Sequence, residues 1–152
     1  MADETSVIAK PGARTLVMTR SFDAPRARVF AAWTQAEHVK YWWDPAGVPL
    51  EVCEIDLRLG GMFRWVNRGH AFTGTYREIV PPERLVFISG HLPADPDSVT
   101  TLRFVEEAGR TVLTITIECR TVEGRDGLLK MGIDAGTART LANLAGYLRK
   151  TA

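Results

Sequence analysis

Cysteine is nearly missing from this 152-residue chain, which has only Cys53 and Cys119. The two are far apart, on strand-like segments, with no CxxC spacing. That argues against a disulfide framework or a thiolate metal site and leaves two buried thiols. An excess of either charge is also lacking: nineteen Lys and Arg against eighteen Asp and Glu leave a formal charge of +1. No Lys/Arg run occurs, so a polyanion such as nucleic acid is not an expected partner. No apolar run approaches the roughly 18 residues a membrane helix needs, and the first ten residues lack the apolar core of a secretory signal. The expectation is a soluble cytoplasmic protein without a membrane partner.

The familiar catalytic and cofactor signatures are missing as well. There is no GxSxG elbow, which removes the commonest serine-nucleophile arrangement. There is no GxGxxG or Walker-type phosphate loop, and HxH, HExxH and HxxxH spacings do not occur. No metal and no cofactor is therefore expected. Of three histidines, His38 falls on a polar turn of a short helix and His70 in a glycine-containing turn, both expected in solvent. His91 ends a strand beside a proline loop, where it could reach a cavity mouth or serve structure alone. Glu54 and Asp56 share one face of a strand, a spacing compatible with acid/base work but equally with a solvated face, since Cys53 and Ile55 point the other way.

What the chain does have is a long amphipathic segment at its end. Over residues 125–150, Leu128, Ile133, Gly136, Thr137, Leu141, Leu144, Ala145 and Leu148, from Ile133 onward at spacings of three and four, predict one helix with a single apolar stripe. At 1.5 Å per residue it would be roughly 39 Å long, enough to cross a whole sheet. Gly132, Gly136 and Gly146 lie inside it, each costing about 1 kcal/mol against alanine. Gly132 and Gly136 share a face, so either close packing on the sheet or room for a guest molecule would explain them.

Before that helix the pattern is mostly extended. Residues 1–13 read as a loose tail and residues 14–150 as one domain, a size that can bury a real core. Residues 14–22 alternate as a first strand, and Asp23-Ala24-Pro25 starts a helix. A second short helix runs over 34–43 and stops at Asp44-Pro45-Ala46-Gly47. Six more strands follow at 50–57, 62–67, 72–80, 85–90, 99–106 and 112–121, with connectors short enough for antiparallel neighbours. The fold class is α+β: seven antiparallel strands with two short helices after the first and the long helix on one face.

Several runs are familiar. Thr19-Arg20-Ser21-Phe22-Asp23-Ala24-Pro25, Val29-Phe30-Ala31-Ala32-Trp33-Thr34 and Tyr41-Trp42-Trp43 resemble the opening of the Aha-type family, homologous to the C-terminal domain of the heat-shock-protein-90 ATPase activator. Asp56-Leu57-Arg58-Leu59-Gly60-Gly61-Met62-Phe63-Arg64-Trp65 resembles its glycine-pair turn. The run from Gly74-Thr75-Tyr76 through Pro81-Pro82-Glu83-Arg84-Leu85-Val86-Phe87 is similar to its central hairpin, and Gly132-Ile133-Asp134-Ala135-Gly136 to its helix start. The resemblance covers nearly everything from residue 16 to 148. It implies the helix-grip fold of the START-like, polyketide-cyclase-like superfamily, a curved sheet wrapped round the terminal helix with a cavity for an apolar or aromatic molecule between them. After Gly136 the family usually carries tryptophan; Thr137 here would enlarge that cavity.

Strand alternation places Phe63 with Trp65, and Phe72 with Gly74 and Tyr76, on common faces. These side chains form either an aromatic cavity wall or an ordinary aromatic core. The cavity expected from this pattern and the resemblance uses Trp33, Trp43, Phe63, Trp65, Tyr76, Phe87, Met131 and Thr137, with His91 and Tyr76 as polar handles. Asp134 would sit near the mouth, paired with Arg64 or His91 or meeting a polar group of a ligand. The expected function is binding of a small hydrophobic or aromatic molecule, with no catalysis or at most weak catalysis. The superfamily implies the alternative of a cyclase, aromatase or hydrolase acting on a polyketide-like or lactone substrate. The family name implies co-activation of a chaperone ATPase. A small domain of this kind also suits a homodimer.

Overall fold

In a computed structural model, which describes residues 4–89 and 97–152, the first segment already departs from expectation. Ser6–Ile8 forms a strand, β1, where a loose tail was expected. It pairs antiparallel with β2 (Thr15–Phe22), Ser6 opposite Thr19. Three residues at a sheet edge, with Val7 and Ile8 exposed, carry no inward-outward alternation for a sequence reading to detect. The buried Arg125, 2% exposed, secures this region by donating from Nη2 to the Lys10 carbonyl at 2.9 Å and from Nη1 to the Thr15 carbonyl at 3.0 Å.

After β2 come α1 (Arg26–Thr34) and α2 (Ala36–Trp42). Pro25 occupies the N-cap of α1, and the Arg26 N–H, left without an intrahelical partner, donates to Glu106 Oε1 at 2.8 Å. Six strands follow: β3 (Val52–Ile55), β4 (Met62–Asn67), β5 (His70–Val80), β6 (Arg84–Ser89), β7 (Val99–Glu107) and β8 (Arg110–Glu118). Two hairpins close with a pair of residues at positive φ, Arg68-Gly69 between β4 and β5 and Ala108-Gly109 between β7 and β8. That turn geometry matches the twist of paired strands. All eight strands form one antiparallel sheet in the order β1-β2-β8-β7-β6-β5-β4-β3.

The terminal helix is two helices rather than one. α3 (Val122–Lys130) and α4 (Ile133–Lys150) are separated at Met131 and Gly132. Gly132 adopts φ 80, a left-handed conformation that ends α3 and caps α4. α3 starts before residue 125 because Thr121 Oγ1 accepts from the Gly124 N–H at 2.9 Å. The 18 residues of α4 still extend about 27 Å. Leu141, Leu144 and Leu148 are buried with Leu16, Met18, Leu102, Leu113 and Ile115 from the sheet. The architecture is therefore α+β, a single eight-stranded antiparallel sheet with four helices, matching the helix-grip fold. Among the described residues no helix is long and apolar enough to cross a membrane.

Candidate functional site

Between the sheet and α4 lies a cavity of about 230 Å³. Its wall draws on Met18 of β2, Phe87 of β6, Leu102 of β7 and Ile115 of β8 on one side, and on Ile133 and Leu141 of α4 on the other. These inward positions follow from the strand period of two, which turns Leu16 and Met18, Phe87 and Ser89, and Ile115 and Ile117 to one face. Gly136 and Thr137 complete the helix side. A Cβ built at Gly136 would meet nothing within 4 Å, so this glycine leaves space instead of permitting close contact.

Trp33 from α1 and Trp43, at the end of α2, close one end of the cavity. Trp43 is held by aromatic contacts on three sides: stacked on Phe72 at 4.7 Å, edge-on to Trp65 at 4.7 Å and to Trp33 at 6.0 Å. Its backbone is tied to α4, where Thr140 Oγ1 donates to the Trp43 carbonyl at 3.0 Å and Asn143 Nδ2 to the Asp44 carbonyl at 2.8 Å.

Asp44 anchors the same segment from beneath. It is 4% exposed, and its carboxylate accepts from Asn67 Nδ2 at 2.7 Å, from the Ala46 N–H at 2.7 Å and from Arg68 Nη2 at 2.9 Å. Burial pushes the carboxyl upward, but the hydrogen bonds from Asn67 and Ala46 and the Arg68 guanidinium outweigh it and leave Asp44 below the usual carboxylate range. A second hollow of about 260 Å³ lies against this group; it shares Trp43, Pro45 and Phe72 with the apolar cavity and adds Arg68 and His70.

Of the residues expected to form the cavity, Trp33, Trp43, Phe87 and Thr137 line it. Phe63, Trp65 and Tyr76 lie outside the wall in a supporting aromatic layer: Phe63 packs on Phe72 at 5.5 Å and edge-on to Phe87 at 5.0 Å, Trp65 on Phe72 at 5.5 Å, and Tyr76 on Phe63 at 5.5 Å. Gly74 makes that layer possible, since a Cβ there would lie 2.4 Å from the Phe63 ring. The Tyr76 phenol has no hydrogen-bond partner among the described residues, and burial pushes its pKa well upward.

Met131 is 55% exposed, because the break between α3 and α4 places it at a helix end and off the apolar stripe. Asp134 is half-buried in the first turn of α4 and does not line the cavity. Arg64 pairs with Glu54 across β3 and β4 at 3.8 Å, since β-alternation sends both to the outer face, so it is not available to Asp134. His91 lies outside the described residues. His38, expected in solvent, is half-buried with Nδ1 2.6 Å from the Tyr147 hydroxyl, because α4 packs against α2. His70 is exposed.

The wall residues that sequence reasoning did not single out are mostly aliphatic, with three polar additions, Ser89, Thr100 and Thr140. Alternation from Phe87 was the available signal for Ser89. Cys53 is half-buried, and burial, partly offset by Lys40, pushes its thiol up to about 11; Cys119 is buried. Among the described residues no group of three or more His, Cys, Asp or Glu is placed to hold a metal ion.

Residues 23–149 match the family model described as Activator of Hsp90 ATPase homolog 1-like protein. The chain belongs to this family. No curated protein matches the sequence significantly. Among solved structures, protein Ms6760 from Mycobacterium smegmatis is similar at 23% identity, covering 97% of this chain and 98% of that one with a TM-score of 0.84. A Rhodobacter sphaeroides protein is similar at 24% identity, with 97% and 99% covered and a TM-score of 0.85. CalU16 from Micromonospora echinospora is similar at 23% identity, with 94% and 82% covered and a TM-score of 0.67. At these identities the likeness establishes the shared fold.

Proposed function

We propose that the protein binds a small apolar or aromatic molecule between its sheet and α4. The observation that carries this reading is the cavity of about 230 Å³ walled by Trp33, Trp43, Phe87 and the aliphatic residues of four strands. A cavity of about 150 Å³ accepts benzene, so this one suits a guest about half as large again, a bicyclic ring system. Burying roughly 250 Å² of such a guest at about 25 cal/mol per Å² contributes about 6 kcal/mol before the cost of immobilising it.

The family and fold support two further readings, turnover of a cyclic substrate and stimulation of a chaperone ATPase. We rank turnover lower, because the polar side-chain groups of the described wall are hydroxyls and the indole N–H groups of Trp33 and Trp43, which are weak acids and bases at neutral pH. Chaperone stimulation uses an outer surface and makes no demand on an interior hollow.

Titration with naphthalene, followed by the fluorescence of Trp33 and Trp43, tests the proposal. A saturable change with a Kd between about 1 µM and 1 mM is expected, and native mass spectrometry of the purified protein should show a retained small molecule. Absence of both, alongside stimulation of a chaperone ATPase, would replace this reading with the co-activator one.

A further inference from the structure

On the cavity wall, Ser89 presents a fully buried hydroxyl. It closes β6 on the same side as Leu85 and Phe87, is 1% exposed, and lines the cavity. Its backbone N–H is satisfied by the Ser98 carbonyl at 3.0 Å, yet its Oγ has no hydrogen-bond partner among the described residues. Thr140, on the opposite wall, uses its hydroxyl to hold the Trp43 carbonyl. A buried hydroxyl without a partner destabilises the fold relative to an apolar side chain of the same size. The neighbouring inward residues of β6 are Leu and Phe, so packing alone would be served by alanine.

A serine hydroxyl moves among three staggered positions about its Cα–Cβ bond and can both donate and accept. We propose that Ser89 Oγ reads a neutral oxygen atom of the bound guest. The ligand class is then an uncharged ring compound of roughly nine or ten heavy atoms carrying a phenolic hydroxyl or a ketone. Neutrality follows from the wall, which among the described residues carries no Lys, Arg, His, Asp or Glu. A carboxylate placed there would lose its hydration without gaining a counter-charge. The inference rests on the cavity-binding function proposed above and adds the polar feature that the site selects.

The test compares naphthalene, 2-naphthol and 2-naphthoate by tryptophan fluorescence titration against the unmodified protein, Ser89→Ala, Ser89→Thr and Ser98→Ala. Ser98 is also fully buried, with a hydroxyl that has no partner among the described residues, but it is not part of the described wall. Expected for the unmodified protein is a preference of about tenfold for 2-naphthol over naphthalene, with 2-naphthoate weaker than 2-naphthol. Ser89→Ala should keep naphthalene affinity, lose the preference, and melt without ligand at the same temperature or higher. Ser89→Thr and Ser98→Ala should retain the preference. The proposal is overturned if Ser89→Ala keeps the preference, if 2-naphthoate binds best, or if Ser89→Ala fails to fold, which would make the hydroxyl structural. In those cases naphthalene binding still leaves the cavity function standing. Failure of all three compounds to bind overturns both.

Discussion

At the scale of single residues, the cavity depends on Asp44, a residue that does not touch the guest space. Its carboxylate gathers Asn67, Ala46 and Arg68, and this fixes the segment carrying Trp43 and Pro45. Because its folded-state pKa is lowered, its contribution is fully present above the unfolded carboxyl value of about 3.9 and is lost as pH falls through the folded value. Asp44→Ala should therefore destabilise the protein by about 2 to 4 kcal/mol at neutral pH and flatten the acid limb of the stability curve below about pH 4. Urea unfolding of both proteins from pH 3 to pH 7 measures this. An unaltered acid limb would show that Asp44 is not the group responsible. Nothing in the sequence marked this residue beyond the turn-forming Asp44-Pro45-Ala46-Gly47, since its partners Asn67 and Arg68 come from a hairpin more than twenty positions away. Side chains that meet across such distances leave no periodic trace.

At the scale of elements, glycines separate close packing from open space. Gly61 and Gly136 make opposite predictions. A Cβ at Gly61 would stand 2.1 Å from the Asp56 carbonyl oxygen, so Gly61→Ala must displace backbone in the β3–β4 connection and should cost about 1 to 3 kcal/mol. Gly136→Ala meets nothing and relieves a helix-interior glycine, so thermal unfolding should show a gain of about 0.5 to 1 kcal/mol. Gly136→Leu should fold equally well while weakening naphthalene binding at least about tenfold, the effect of putting apolar volume where the guest lies. Apart from β1, the identity and order of the strands were readable, because period-two alternation and the Arg68-Gly69 and Ala108-Gly109 turns mark strands and hairpins directly. The division into α3 and α4 was not read, although it falls where the stripe loses phase, at the step of five from Leu128 to Ile133, and where Gly132 takes a left-handed φ.

At the scale of the whole molecule, two layers meet over part of their area and stand apart over the rest. Leu141, Leu144 and Leu148 of α4 are buried against the sheet, while Gly136 and Thr137 near its start leave the hollow. The Phe63, Trp65, Phe72 and Tyr76 layer supports that hollow from the sheet side. Sequence alternation paired Phe63 with Trp65 and Phe72 with Tyr76 on common faces, yet could not separate Phe72, which touches the space, from the rings behind it, since all four are aromatic residues of neighbouring strands. The central claim is that this space admits an aromatic guest, and crystals soaked in iodobenzene test it most directly. An anomalous iodine peak is expected between Phe87, Trp33 and Thr137, with sheet and α4 unmoved. A refined structure with Ile133 and Leu141 seated against Phe87 and Leu102, and no iodine between them, would contradict it.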